Sequence, residues 1–244
     1  VFLHGLADDH RLWRHIVPRL RSRFETIAVD LPGHGRSGPI PDGAPIEWFA
    51  DEVRGLIDGL ALVDPAIVGL SMGGGVAQYV AIRSPGRLRG LVLVSSSPVF
   101  PEATRQRFLD RAAQAETEGM AAVVDVTVPR WFTPPFMVAH PDEVAATEAT
   151  VLAIDPVQFA RASRANVARD CVARLPAIDC PVLFVGGLDD PADPERAVAI
   201  YRRELRDLTV ELLPGVSHLV PVEAPDRFAT ILGAFLDRLD GGRG

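Results

Sequence analysis

Short apolar, β-branched runs recur along the chain at Val1–Leu3, Thr26–Val29, Ala66–Val68, Leu91–Val94, Val182–Val185 and Thr209–Leu213. Most lack the apolar–polar alternation of a half-exposed strand, which suits strands buried on both faces of a parallel sheet. Helical patterns lie between them. Glu47–Leu62 sets Phe49, Val53, Leu56, Ile57 and Leu60 on one stripe, the spacing of a helix with one buried face. Met72–Arg83 reads as a second helix. Pro194–Leu205 opens with Asp193 as N-cap and Pro194 in the first turn, a normal helix start. Pro225–Leu239 repeats the device, with Phe228, Ile231, Leu232, Phe235 and Leu239 facing inward. Strand alternating with helix predicts βαβ crossovers and an open α/β sheet.

One stretch breaks the rhythm. From about Pro98 to Pro176 there is little strand signal, and several Ala- and Arg-rich helical patterns are broken by Pro129, Pro134-Pro135, Pro141 and Pro156. This predicts a helical insertion at 98–176 between two strands of a core made of 1–97 and 177–244.

Composition narrows the partners. The 244 residues are 48% hydrophobic and 23% charged, with a net charge of −7; this is a folding chain. The charge argues against nucleic acid or an anionic membrane as main partner. An acidic small molecule stays open, because a local cation outweighs a diffuse field screened over roughly 10 Å. The two cysteines, Cys171 and Cys180, make no disulfide framework or Cys-rich zinc site. They suit reduced thiols and a cytoplasmic setting. No apolar run approaches the roughly 18 residues of a membrane span, and no signal peptide pattern is visible. The chain opens at Val1, which reads as a start inside the fold.

The chemistry gathers at Gly69-Leu70-Ser71-Met72-Gly73, a G-x-S-x-G pattern between a strand and a helix. So sharp a turn holds its central residue in strained backbone, at roughly 1–3 kcal/mol. It lifts the Ser71 hydroxyl clear of the sheet and leaves the Met72 N–H at a helix N-terminus, where a developing oxyanion is favoured. The structural alternative is a Gly-rich helix start with a serine N-cap. A nucleophilic serine needs a base, and the base needs an orienting acid. Sheets with this elbow supply them in the order Ser, acid, His, each on a loop after a strand. Of six histidines, only His218 follows the last predicted strand. His4 and His34 sit in Gly-flanked turns and suit structural roles; His10, His15 and His140 suit loops or surface. The expected acid is Asp190 in Gly186-Gly187-Leu188-Asp189-Asp190-Pro191, with Asp189 as its rival; the structural alternative is that both are turn formers beside Pro191. The second oxyanion donor is the Leu6 N–H, after the first strand. No histidine pair has zinc-ligand spacing, so neither metal nor cofactor is expected.

Together these residues resemble the α/β-hydrolase superfamily over nearly the whole chain: the His4-Gly5 opening, Asp30-Leu31-Pro32-Gly33-His34-Gly35-Arg36-Ser37, the elbow at Ser71, the Asp190 loop, and His218-Leu219-Val220-Pro221-Val222-Glu223-Ala224-Pro225. The resemblance implies an α/β-hydrolase fold, a mostly parallel sheet with flanking helices and a helical cap. Members carry about twenty further residues upstream that form the first two strands; these are missing from the sequence, which implies an incomplete sheet edge or a trimmed chain. Within the superfamily the insertion is similar to that of 3-oxoadipate enol-lactonases, through Gly119-Met120-Ala121-Ala122, Arg130-Trp131-Phe132-Thr133-Pro134 and Ala139-His140-Pro141-Asp142-Glu143-Val144. Those enzymes open a small enol-lactone bearing a free carboxylate, in aromatic-compound catabolism. The resemblance implies that Arg130 and Trp131 sit in the cap over Ser71. There Arg130 suits a carboxylate clamp and Trp131 a water shield; a solvated helix end and cap core are the structural alternatives. The N-terminal half departs. Enol-lactonases usually lack the His-Gly opening and carry Arg-Gly-His-Gly where this chain has Leu31-Pro32-Gly33-His34-Gly35. That half looks like a general esterase or C–C bond hydrolase, and perhydrolases or ligand receptors with a vestigial triad share the fold.

Overall fold

The structure, a computed structural model, describes residues 1–241. In chain order its strands are β1 (Phe2–Leu3), β2 (Ala28–Val29), β3 (Ala66–Leu70), β4 (Gly90–Val94), β5 (Val182–Gly187) and β6 (Leu208–Leu213). They form one parallel sheet in the order β2-β1-β3-β4-β5-β6. The order reverses direction at β1, so β1 and β3, which the chain visits far apart, lie side by side. Ligands bind beyond the strand carboxyl ends of such sheets. β4 and β5 are buried along their whole length, which is why they read as unbroken apolar runs.

The helices are α1 (Val17–Leu20), α2 (Ile46–Gly59), α3 (Met72–Arg83), α4 (Glu102–Glu118), α5 (Ala121–Thr127), α6 (Pro134–Ala139), α7 (Pro141–Leu152), α8 (Pro156–Ala168), α9 (Pro194–Glu204), α10 (Val220–Glu223) and α11 (Pro225–Gly241). α3 is buried almost all round and opens behind Ser71. Phe49, Val53 and Ile57 form the buried stripe of α2. Leu60, expected on that stripe, is 49% exposed, because α2 stops at Gly59 and Leu60 has already left the helix.

Between β4 and β5 the chain runs through α4 to α8. Pro134, Pro141 and Pro156 each start a helix there, where the missing N–H of proline costs nothing. Thr133 and Asp155 cap α6 and α8 with their side chains. α4 and α8 are joined by Arg164 on Glu116, with Nη1–Oε1 at 2.8 Å. An isolated antiparallel bridge, Val99 to Asp170, marks where this excursion leaves and rejoins the sheet. Among the described residues no helix is long and apolar enough to cross a membrane.

Candidate active site

Ser71 occupies the turn between β3 and α3 with φ 51° and ψ −107°. A non-glycine residue held there is strained by roughly 1–3 kcal/mol, and several bonds hold it. The Ser71 N–H donates to the Val94 carbonyl at 2.9 Å, and its own carbonyl accepts from the Ser96 hydroxyl at 2.8 Å and the Gly75 N–H at 3.0 Å. The flanking glycines are required by close approach. A Cβ on Gly69 would strike the Gly73 backbone, and one on Gly73 would strike the Leu3 and His4 carbonyls. Backbone atoms cannot swing aside, so the turn is this tight only with hydrogen at both places.

The loop after β1 runs beside that turn. Two buried histidines brace it. The His4 Nε2 accepts from the Leu31 N–H at 2.9 Å and its Nδ1–H donates to the Gly5 carbonyl at 2.7 Å. The His34 Nε2 accepts from the Ala7 N–H at 3.2 Å, and its Nδ1–H donates to the Pro32 carbonyl at 3.0 Å. Burial, and then each other's proximity for His4, push both rings towards the neutral form, His4 down to about 3. A neutral imidazole donates at one nitrogen and accepts at the other, which is what these bonds use. The Met72 N–H follows Ser71 directly, Leu6 lines the same cavity as Ser71 from the loop after β1, and among the described residues neither N–H has a protein acceptor. The Met72 side chain itself points into the core.

β5 and β6 deliver the other two side chains. The His218 Nδ1–H donates to the Asp190 Oδ2 at 2.7 Å, and that carboxylate is almost fully buried. The other oxygen, Oδ1, accepts from the Ala192 N–H at 2.8 Å. Asp189, the rival acid, is exposed and meets Val216 only through its backbone N–H. With Nδ1 carrying the proton, the His218 Nε2 has a free lone pair.

Ser71, His218, Asp190, Leu6, Arg130 and Trp131 all line one cavity of about 470 Å³, a size suited to a small ligand. Residues of the excursion form much of its wall, including Phe100, Phe108, Arg111, Val126 and Thr127. Arg130 is exposed and Trp131 half-buried. Two contacts have no signal in the sequence. The Trp131 carbonyl accepts from the His218 and Leu219 N–H groups, both at 3.1 Å. Glu223 accepts from the Ser217 N–H at 2.7 Å and the Thr133 N–H at 2.9 Å, and also from the Thr133 hydroxyl. The helical excursion is thereby fastened to the histidine loop.

Other reactive groups are occupied. Asp9, His10 and Asp30 cluster, but Arg11 engages both Asp9 oxygens and the His10 and Arg36 N–H groups engage Asp30. Burial pushes the Cys171 thiol up to about 12 and the Cys180 thiol to about 11, so neither forms an appreciable thiolate at neutral pH.

The profile of the Alpha/beta hydrolase family matches residues 1–231. The chain belongs to this family. It is 28% identical to 3-oxoadipate enol-lactonase 1 of Acinetobacter baylyi over 237 residues, covering 97% of this chain and 87% of that one. The enol-lactonase of Burkholderia xenovorans LB400 superposes with a TM-score of 0.92 at 28% identity, over 97% of this chain and 90% of that one. A thermophilic esterase from Thermogutta terrifontis, solved with malate bound, superposes with a TM-score of 0.91 at 28% identity, over 98% and 89%. The α/β-hydrolase fold and the likeness to enol-lactonases expected from the motifs are thus both found. Lactonases and esterases alike stand among the relatives.

Proposed function

We propose that this α/β hydrolase is a serine hydrolase that cleaves a small carboxylic ester or lactone through an acyl-enzyme on Ser71, with 3-oxoadipate enol-lactone or a related enol-lactone as substrate. The observation that carries the reading is the 2.7 Å bond from His218 to the buried Asp190, in the cavity that also holds the strained Ser71.

In the cycle, the His218 Nε2 takes the Ser71 proton as Oγ attacks the carbonyl carbon. The Leu6 and Met72 N–H groups receive the oxyanion; losing one such donor typically lowers turnover roughly 10²–10³-fold. The C–O bond of the ester breaks, and His218 returns its proton to the leaving enolate oxygen. Water then attacks the acyl-enzyme, giving its proton to His218, and the acid leaves as Ser71 regains its own. Asp190 fixes the Nδ1–H tautomer throughout and offsets the imidazolium charge. The α4–α8 excursion serves as a cap, on which Trp131 excludes water and Arg130 supplies positive charge for a substrate carboxylate. The names of the relatives support an acidic substrate: one acts on an oxoadipate lactone, and another was solved with a dicarboxylic acid. The reading places the reaction in the cytoplasm, in aromatic-compound catabolism, with no nucleic acid, membrane or cofactor taking part.

A second reading, a general carboxylesterase, is favoured by the His4-Gly5 opening and by the esterase likeness. Purified protein is assayed on 3-oxoadipate enol-lactone and on uncharged short esters, for the wild type and Arg130→Ala. Phosphonate-sensitive turnover with the lactone preferred is expected. Preference for uncharged esters selects the second reading, and stoichiometric binding without turnover overturns both in favour of a ligand receptor.

A further inference from the structure

Three arginines between α4 and α7 reach the cavity that holds Ser71: Arg107 and Arg111, one turn apart on α4, and Arg130 at the end of the short turn Val128–Arg130. Their spacing puts Arg107 and Arg111 on one face. Among the described residues none of the three has a carboxylate partner, although acids are at hand on the same helix. Arg105 pairs with Glu102, and Glu116 pairs with Arg164. The acids that do line the cavity are engaged elsewhere: Asp190 by His218, Asp193 by the Arg196 N–H, Asp110 by Gln106, and Asp8 by the Asp9 N–H.

Arg111 is the deeply placed member. Its Nε is shut off from solvent with no partner. One Nη reaches only the Thr127 hydroxyl, at 3.4 Å, and the guanidinium lies 4.5 Å from the centre of the Phe108 ring. Burial, followed by Arg130 and Arg107, pushes its guanidinium down to about 10. A partly buried cation with an unpartnered Nε, beside two other cations and with no protein anion, is costly unless something negative joins it. The fully buried arginine of this cavity differs. Arg169 spends its donors on the Ser97 carbonyl and on Asn166, and caps the Phe100 ring.

We infer that Arg111, flanked by Arg130 and Arg107, is the residue that selects substrates carrying a carboxylate remote from the scissile ester. The inference rests on the hydrolase reading for the ester end and on the cap geometry for the acid end. A planar guanidinium matches a carboxylate with two parallel donors, and the charge sits where the three cations now repel one another. The apolar wall of Phe100, Phe108 and Val126 suits the short hydrocarbon linking the two ends. Arg130, exposed at the cavity wall, adds positive charge there, while Arg111 receives the acid.

Two measurements test this. The first compares mono-p-nitrophenyl glutarate with p-nitrophenyl butyrate on the wild type, Arg111→Gln and Arg111→Lys. The ratio of kcat/KM, charged over neutral, is expected to fall about 10- to 100-fold in Arg111→Gln and to be partly kept in Arg111→Lys. An unchanged ratio overturns the assignment. Arg107→Gln, on the exposed flank, is expected to lower the ratio less, and it carries the test if the buried substitutions fail to fold. The second titrates glutarate into Ser71→Ala by calorimetry, with and without Arg111→Gln, and needs no turnover. If the wild type cleaves neither ester but glutarate binds through Arg111, the hydrolase reading falls and the acid site stands. If both esters are cleaved alike and glutarate binding ignores Arg111, the acid site falls and the hydrolase reading stands.

Discussion

Asp189 and Asp190 are neighbours in sequence with the same chemistry, and their surroundings alone separate them. Asp190 is buried with one oxygen on His218 and the other on the Ala192 N–H. Asp189 stands in solvent. A carboxylate orients an imidazole only from a fixed position, so the two amides should differ sharply. Asp190→Asn is expected to lower kcat by roughly 10⁴, since the amide stabilises the wrong tautomer. Ser71→Ala is expected to cost on the order of 10⁶. Asp189→Asn should change kcat by less than about tenfold. Steady-state kinetics on one ester decides it, and a larger loss at Asp189 transfers the role. The same contrast shows a limit of reading residues in a line. Pro191 marks a turn, but which of two acids a turn points inward depends on φ and ψ, not on composition.

At the scale of elements, the strands and their following loops are legible in the sequence because each is short, apolar and punctuated. The elbow is readable down to its glycines, since the constraint there is backbone against backbone. What escapes is contact between elements distant in sequence. Glu223, in the sequence one residue of the run His218-Leu219-Val220-Pro221-Val222-Glu223, holds the histidine loop at Ser217 and the cap at Thr133. No local period announces such a tie. The same holds for Arg111, which in sequence is one of several arginines on a polar helix. Its signal is the lack of an acid partner, visible only once its surroundings are known. Glu223→Gln keeps the size but loses the charge on three hydrogen bonds. Bonds to a charged group are each worth about 1.5–3 kcal/mol, so the loop should loosen. We expect kcat to fall about tenfold or more while KM changes little, and Glu223→Asp to recover neither contact fully. A fall in thermal stability with kcat intact would make Glu223 a structural brace only.

For the whole molecule, the net charge of −7 conceals buried groups whose titrations pull stability in opposite directions. Burial holds His4 neutral down to about 3. Between that value and the usual 6.5, the unfolded chain binds more protons at this site, so His4 makes stability rise with pH across the window. Asp8 works against it. It lies buried in the loop after β1, beside Asp9, with Arg11 and Arg14 as the nearby cations. Burial, partly offset by the bond from the Asp9 N–H, raises its carboxyl from 3.8 to about 7. Between those values the folded chain holds a proton that the unfolded chain has lost. Stability contributed at this site therefore falls as pH rises from about 4 to about 7 and is level above that. A tenfold difference in proton affinity between the folded and unfolded chain is worth about 1.4 kcal/mol, so the total is on the order of a few kcal/mol. Asp8→Asn keeps the acceptor for the Asp9 N–H and abolishes the titration. Its stability relative to the wild type should be near zero at the acid end of the window and grow to a plateau above about pH 7. Urea unfolding of both proteins at pH 5 and pH 8 measures this, with the larger gain expected at pH 8. An equal gain at both values would mean that Asp8 ionises in the fold as it does in the open chain, and that its burial is relieved by solvent.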